Sequence, residues 1–392
     1  MQRKTYAVIN GEQIKENVKE IIQKYNDYEY YIGVVKNNAY HHGIRCILDM
    51  IEGGVNYLAV SSLEEALQIR KYNQEIPILC LEPISIESID DAINANITLT
   101  VESLSYLKNM LKSDLYASLK IHIAIDSGMN RLGFKSKNEL NEAISLIKES
   151  KKIILEGIYT HFATSGIIDS KWDLQLQTFQ KITEDIDLAS IPIVHLGRSL
   201  TLVNHPKISF TNGIRLGIIM YGFSQSQVLG KGFRSKLRSI KMKYLQKKNH
   251  CSTTTLQNDL KLKTVMSLYS EIISIRDVKE GDYVGYNTYR IKEDGYIATI
   301  PIGYADGVTK KFEKVYIKGD YCEIISDSMD MIMVYSKKKK KVGDQVEIFG
   351  EHIPIRQVCL NNKVNAYHLF NQISNRVTRV HLSKNRKEEI IY

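Results

Sequence analysis

The chain of 392 residues is sparing with cysteine and spaces it badly for bridges. Cys46, Cys80, Cys251, Cys322 and Cys359 are odd in number and scattered, with no CxxC pair. That spacing excludes a disulfide framework and a paired-cysteine zinc site, and it fits a reducing compartment. Long apolar runs are also missing, and none approaches membrane-spanning length. Met1-Gln2-Arg3-Lys4 leads straight into a short strand with no signal-peptide pattern, so a cytoplasmic location is expected. No repeat of solenoid period is present, and no glycine-rich phosphate fingerprint follows the first strand.

What is there is ordinary globular material, 43% hydrophobic and 25% charged, in a chain long enough for two domains. The net charge of +9 raises the question of a nucleic-acid or membrane partner. Much of the excess is local. Lys337 to Lys341 is one run, and Lys231 to Lys248 holds eight basic residues and no acidic one. No nucleic-acid-binding motif accompanies either. Residues 226–260 read as a basic surface insertion; within them, Leu237 to Leu245 has the pattern of a basic amphipathic helix able to touch a membrane surface.

Along the chain, strand patterns at 5–9, 30–36, 57–61, 76–82, 97–102, 119–126, 152–162, 191–197 and 208–214 alternate, after the first, with helical patterns. Asn10 is placed to cap the first helix. Eight strands alternating with helices predict an α/β fold, an N-terminal (β/α)8 TIM-like barrel over residues 10–225. From residue 261 onward, alternating apolar runs are punctuated by Gly281-Asp282, Gly319-Asp320 and Gly343-Asp344. This predicts a C-terminal β-rich domain, joined by the strand in residues 1–9.

The strand ends carry the chemistry. YIGVVKNNAYHHG closes an apolar run on Lys36, then turns polar. Arg131 follows the fifth barrel strand, His161 ends the sixth, Ser199 follows the seventh, and Arg215 and Gly217 follow the eighth. On a barrel these positions share the carboxyl-end face, where active sites are built. A lysine able to form a Schiff base, beside a phosphate cradle after strands seven and eight, describes a pyridoxal phosphate site. Taken singly, each residue has a plainer reading: a solvated lysine, a satisfied core histidine, a loop arginine. Arg215 is harder to dismiss, because a buried arginine needs an acceptor.

Eight separated segments, VVKNNAYHHG, IDSGMNRLGF, YTHFATSG, HLGRS, IRLGIIMYG, VGYNTYR, IPIGYADG and SMDMIMV, make the chain resemble the alanine racemase family over nearly its whole length. The resemblance implies pyridoxal 5'-phosphate as cofactor, a small amino acid as substrate and a homodimer with shared active sites. It implies that Lys36 holds the cofactor and serves as one catalytic base, and that Tyr286, arriving from the other subunit, is the second. Arg215 would face the pyridine nitrogen, Tyr40, Ser199, Gly217 and Ile218 would contact the phosphate, and His161 would lie beside the ring. Arg131 and the backbone of Met329 would meet the substrate carboxylate, with Tyr304 and Asp330 at the entrance. No metal is implied.

Racemisation removes the Cα proton on one face and returns one on the other, so it needs two acid/base groups, which lysine and tyrosine supply. An arginine at the pyridine nitrogen is too weak an acid to protonate it, which limits side reactions.

The departures from the family pattern are specific. Ala124 stands where many members carry a carbamylated lysine that braces the arginine. Arg198-Ser199 replaces Asn-Ser, and Leu216 replaces proline in Arg215-Leu216-Gly217. Asn375, in ISNRVTRVH, stands where tyrosine or serine is common, next to the substrate side chain. Asparagine there resembles the serine-racemising branch linked to glycopeptide resistance, whose members carry a membrane domain; this chain would be a free form or a soluble portion. The competing readings are a decarboxylase of the related barrel group, a non-catalytic cofactor carrier, and a basic protein binding a polyanion. Decarboxylases place a carboxylate at the pyridine nitrogen, which Arg215 opposes, and the segments around Tyr286 and Met329 oppose the carrier.

Overall fold

The computed structural model describes residues 3–164, 170–223, 240, 260–286 and 288–383, and the backbone of a last strand at 386–390. Two compact units emerge: Lys15–Lys36 with Met50–Leu262, and Met1–Ile14 with Asn37–Asp49 and Lys263–Tyr392.

The first strand, β1 (Tyr6–Asn10), ends on Asn10, whose Oδ1 accepts the Gln13 amide at 3.0 Å and starts the helix Gly11–Lys24. Eight parallel strands follow: β2 (Tyr30–Val34), β3 (Tyr57–Val60), β4 (Ile78–Cys80), β5 (Ile97–Val101), β6 (Leu119–Ile125), β7 (Ile153–Thr160), β8 (Ile193–His195) and β9 (Gly213–Leu216). Their order is β8-β7-β6-β5-β4-β3-β2-β9. The ends of that row approach each other, where the Arg215 amide donates to Gly197 O at 3.3 Å and the Asn212 amide to Val194 O at 3.2 Å. The sheet is therefore a nearly closed barrel. Its strands are short, apolar and buried on both faces, as parallel strands under helices must be.

The eighth barrel strand differs from the sequence expectation. Residues 208–212 form a turn, with the Thr211 amide and hydroxyl both donating to Ile208 O, and the strand begins at Gly213. Arg215 thus sits inside the strand rather than after it. Thr211 bonds locally to Ile208, whereas Asn212 reaches across to Pro192 O and Val194, and these polar bonds defeat the apolar pattern there.

The second unit is a ten-stranded sheet in the order β11-β14-β17-β16-β15-β18-β10-β1-β19-β20. Its strands after β1 are β10 (Met266–Glu271), β11 (Ser274–Val278), β14 (Gly295–Ile300), β15 (Lys314–Ile317), β16 (Asp320–Asp327), β17 (Ile332–Ser336), β18 (Gln345–Phe349), β19 (Thr378–Ser383) and β20 (Arg386–Ile390). A small hairpin, β12 (Tyr283–Val284) and β13 (Tyr289–Arg290), stands apart from it. The glycines at 281, 319 and 343 have φ of 94°, 90° and 88°, the left-handed region that the turns require. β1 lies between β10 and β19.

Candidate active site

Lys36 follows β2, and the Val35 amide before it is still tied to Ala59 O of the neighbouring strand at 2.9 Å. The backbone then does something rare. Asn37, Asn38, Ala39, Tyr40 and His41 all have positive φ, between 52° and 62°. They form one left-handed turn, closed by the His41 amide on Asn37 O at 2.9 Å. Left-handed helix costs an L-residue roughly 1–2 kcal/mol, and asparagine tolerates it best, which suits the two asparagines that begin the turn. Such strain persists only where surrounding contacts over-determine it, and it clusters at functional sites. Here His41 Nδ1 lies 2.9 Å from Ile373 O, and buried Arg379 donates from Nε to His41 O at 3.0 Å. The Tyr40 ring meets Tyr367 edge-on.

In the barrel unit, cations converge on a neutral imidazole. Burial, reinforced by Arg215, Arg198, Arg131 and Lys36 in that order, holds the His161 pKa down at about 2. Positive potential of this kind is built for an anion. Arg215 is buried and donates four times: Nη1 to His195 Nδ1 at 2.6 Å and His195 O at 2.8 Å, Nη2 to Thr160 O at 2.7 Å and Leu196 O at 3.0 Å. All four acceptors are neutral, and these bonds use only the terminal nitrogens. Burial, together with Arg198 and Arg131, lowers the Arg215 pKa to about 10, and Tyr159 opposes the fall. Buried Ser199 accepts the Gly217 amide on Oγ at 2.8 Å, which leaves its own hydroxyl hydrogen free to donate. Ile218 is buried at the head of the short turn Ile218–Tyr221.

Arg131 is exposed, on the loop after β6. Asp126 shapes that loop by accepting the Gly128 and Asn130 amides at 3.0 and 2.9 Å. Ala124 is buried in β6 opposite Tyr159, with no side chain to reach Arg131.

The remaining candidates lie in the β unit, and four of them are gathered. The Tyr304 amide donates to Ser328 O at 3.1 Å, the Ala305 amide to Met329 O at 3.0 Å, and the Ser374 amide to Asp306 O at 3.2 Å. Arg376, next to exposed Asn375, bonds Asp330 at 2.7 Å. Tyr304, Met329, Asp330 and Asn375 are thus tied into one surface through backbone and one ion pair. Tyr286 stands apart, 86% exposed at the tip of the β12–β13 hairpin. Asn287 lies outside the described residues.

Sequence reasoning missed four participants: Tyr159, His195, His122 and Glu156, which continue inward from Arg215. Tyr159 belongs to the quoted YTHFATSG segment and His195 to HLGRS, so a signal was present for both; His122 and Glu156 had none.

Part of the basic run is paired with two carboxylates. Lys337 pairs with Glu293, Lys338 and Lys340 pair with Asp320, and Lys339 lies over the Tyr296 ring. The basic insertion, apart from Ile240 and Leu260, lies outside the described residues. Among the described residues no helix is long and apolar enough to cross a membrane.

The fold and site define a barrel-plus-β-domain protein with a lysine and three arginines gathered around a buried histidine at the barrel's strand ends. The family models "Alanine racemase, N-terminal domain" and "Alanine racemase, C-terminal domain" match residues 9–225 and 265–381. The alanine racemase of Streptococcus equi subsp. equi is 33% identical over 357 residues, 90% of each chain. The crystal structure of the Bacillus anthracis alanine racemase with bound L-Ala-P superposes with a TM-score of 0.85 at 30% identity, covering 100% of this chain and 98% of that one. The histidine racemase of Leuconostoc mesenteroides subsp. sake shares the fold, with a TM-score of 0.82 at 24% identity over 97% and 99% of the two chains. The chain belongs to the alanine racemase family.

Proposed function

We propose that this protein is a pyridoxal-phosphate-dependent racemase that interconverts the enantiomers of alanine, serine or both. The observation that carries the reading is Arg215, a buried guanidinium bonded only to neutral acceptors where a decarboxylase would present a carboxylate. The donor set suits the cofactor: an amine, a neutral imidazole, a hydroxyl free to donate, and cations that favour a phosphate dianion.

When bound, pyridoxal phosphate supplies an electron sink that makes the substrate Cα proton removable. Lys36 would hold the cofactor, and Tyr40, Ser199 and the amides of Gly217 and Ile218 would take its phosphate. His161, kept neutral, would lie against the ring without adding charge. Arg215 would present Nε to the pyridine nitrogen; a guanidinium gives up its proton reluctantly, which favours racemisation over other fates. Arg131 and the Met329 amide would orient the substrate carboxylate. Lys36 and Tyr286 would hold and move protons on opposite faces of Cα.

The exposure of Tyr286 supports a homodimer in which this phenol completes the neighbouring protomer's site. Asn375 would offer its amide to a hydroxymethyl group, and the supply of D-amino acids to cell-wall precursors is the corresponding physiological role. The deciding experiment assays D-products from L-alanine and L-serine side by side, with Lys36→Ala as control. Enantiomer formation lost in the variant supports the reading; amine and carbon dioxide release without enantiomer formation replaces it with the decarboxylase.

A further inference from the structure

A chain of polar side chains runs through the interior of the barrel, away from Arg215. His195 Nδ1 accepts from Arg215 Nη1 at 2.6 Å, His195 Nε2 is 2.9 Å from His122 Nδ1, and His122 Nε2 is 3.3 Å from Glu156 Oε2. Glu156 is held in turn by the Tyr57 hydroxyl at 2.7 Å, the Thr98 hydroxyl at 2.9 Å and Lys120 at 2.9 Å. Arg215 lies late in β9, whereas Tyr57, Thr98 and Lys120 lie at or next to the starts of their strands. The chain therefore runs from the carboxyl mouth to the amino-end floor.

Its hydrogens can point only one way. Arginine has donors and no acceptor, and a neutral imidazole has one of each. His195 must accept from Arg215 on Nδ1, so its proton sits on Nε2 and is donated to His122 Nδ1. His122 then carries its proton on Nε2, facing the carboxylate. Burial lowers the pKa of both histidines, so both stay neutral. Burial works against the ionised Glu156, but the nearby His122, the Tyr57 hydroxyl and Lys120 outweigh it and hold its pKa well below the usual carboxylate range. The two imidazole links are hydrogen bonds and the last is an electrostatic approach at 3.3 Å, so the chain is oriented toward a fixed negative charge.

The strands are shaped to admit this chain. The pairing of β6 with β7 slips between Ile121 and His122, and Gly157 leaves the space the imidazole occupies. The Tyr159 ring stacks on His195, with centroids 4.9 Å apart and planes at 19°. A layer of apolar side chains would cost less desolvation than a carboxylate and two imidazoles, so stability alone does not account for them.

From this geometry we infer that Glu156 and His122 are positioning residues that act on Arg215 through His195: they anchor its guanidinium and oppose loss of its proton toward the site. The consequence for reaction fate rests on the racemase reading; the tautomers do not.

Two measurements test it. In protein labelled with 15N at histidine, His122 and His195 should both show the Nε2–H tautomer, unprotonated through the neutral range. An Nδ1–H tautomer or a protonated ring at either position overturns the relay. In the holoenzyme turning over L-alanine, Glu156→Gln should raise the ratio of abortive amino transfer to racemisation by about threefold or more. Amino transfer is read as pyruvate formed one-for-one with the amine form of the cofactor. Tyr57→Phe, a milder change at the same carboxylate, should move the ratio the same way, and it decides the matter if Glu156→Gln does not fold. A lowered melting temperature with an unchanged ratio would show that these residues only support the scaffold, and overturns the inference. Correct tautomers in a protein that binds no cofactor would sink the racemase reading instead.

Discussion

Gly157 makes room for His122: a Cβ at Gly157 would stand 2.6 Å from Cε1 of the buried imidazole. The imidazole cannot retreat, because Tyr57 and His195 flank it, with ring centroids 5.9 and 5.1 Å away.

Gly157→Ala is therefore expected to destabilise the protein by about 1–3 kcal/mol, the usual cost of overpacking a well-filled core. Urea unfolding of the variant beside the parent measures it. A midpoint within experimental error of the parent would mean that the barrel interior has slack at this point.

Tyr286→Phe should slow exchange of the Cα proton of one enantiomer far more than of the other, because each base serves one face. Isotope exchange from deuterated water, followed separately for D- and L-alanine, distinguishes the cases. Equal losses count against the two-base scheme.

Asn375→Tyr should shift kcat/KM from serine toward alanine. A phenol fills the space of the hydroxymethyl group and withdraws the amide, and a site that pairs with a hydroxyl discriminates strongly through it. An unchanged ratio removes Asn375 from specificity.

Acid should destabilise the fold early. His42 is buried, and burial lowers its pKa to about 3; burial also lowers those of His122 and His195. The unfolded chain titrates its histidines near 6.5, so below about that pH it binds more protons than the native state. Stability is complete above that range and falls as pH drops toward the folded values, by up to about 1.4 kcal/mol per pH unit for each histidine. The urea midpoint should therefore be clearly lower at about pH 5 than at about pH 7.5, and His42→Gln should flatten the slope. A midpoint that rises on acidification contradicts the burial of these rings as neutral groups.

Local pattern determined much of this protein. The alternation of short apolar runs with 3.6-residue periodicity is a property of contiguous residues, and it located the barrel strands; the first, expected at 30–36, runs Tyr30–Val34. The lysine closing the first barrel strand and the arginine at the last were legible for the same reason, since strand ends on a barrel share one face. The eighth strand was misplaced because Thr211 bonds back to Ile208 and Asn212 pairs with Val194 and Pro192, polar contacts that hydrophobic periodicity does not register.

Tertiary structure alone decided the rest. Asn37 to His41 adopt a left-handed turn that no propensity favours, held by Arg379 from far along the chain. Lysines 337, 338 and 340 meet two carboxylates, Glu293 and Asp320, from elsewhere in the chain, pairings the linear run of charge does not reveal. His122, Glu156 and His195 become one device only because the parallel sheet sets three distant strands side by side. Hydrogen-bond polarity depends on which groups meet, and that is a property of the closed barrel, not of any stretch of sequence.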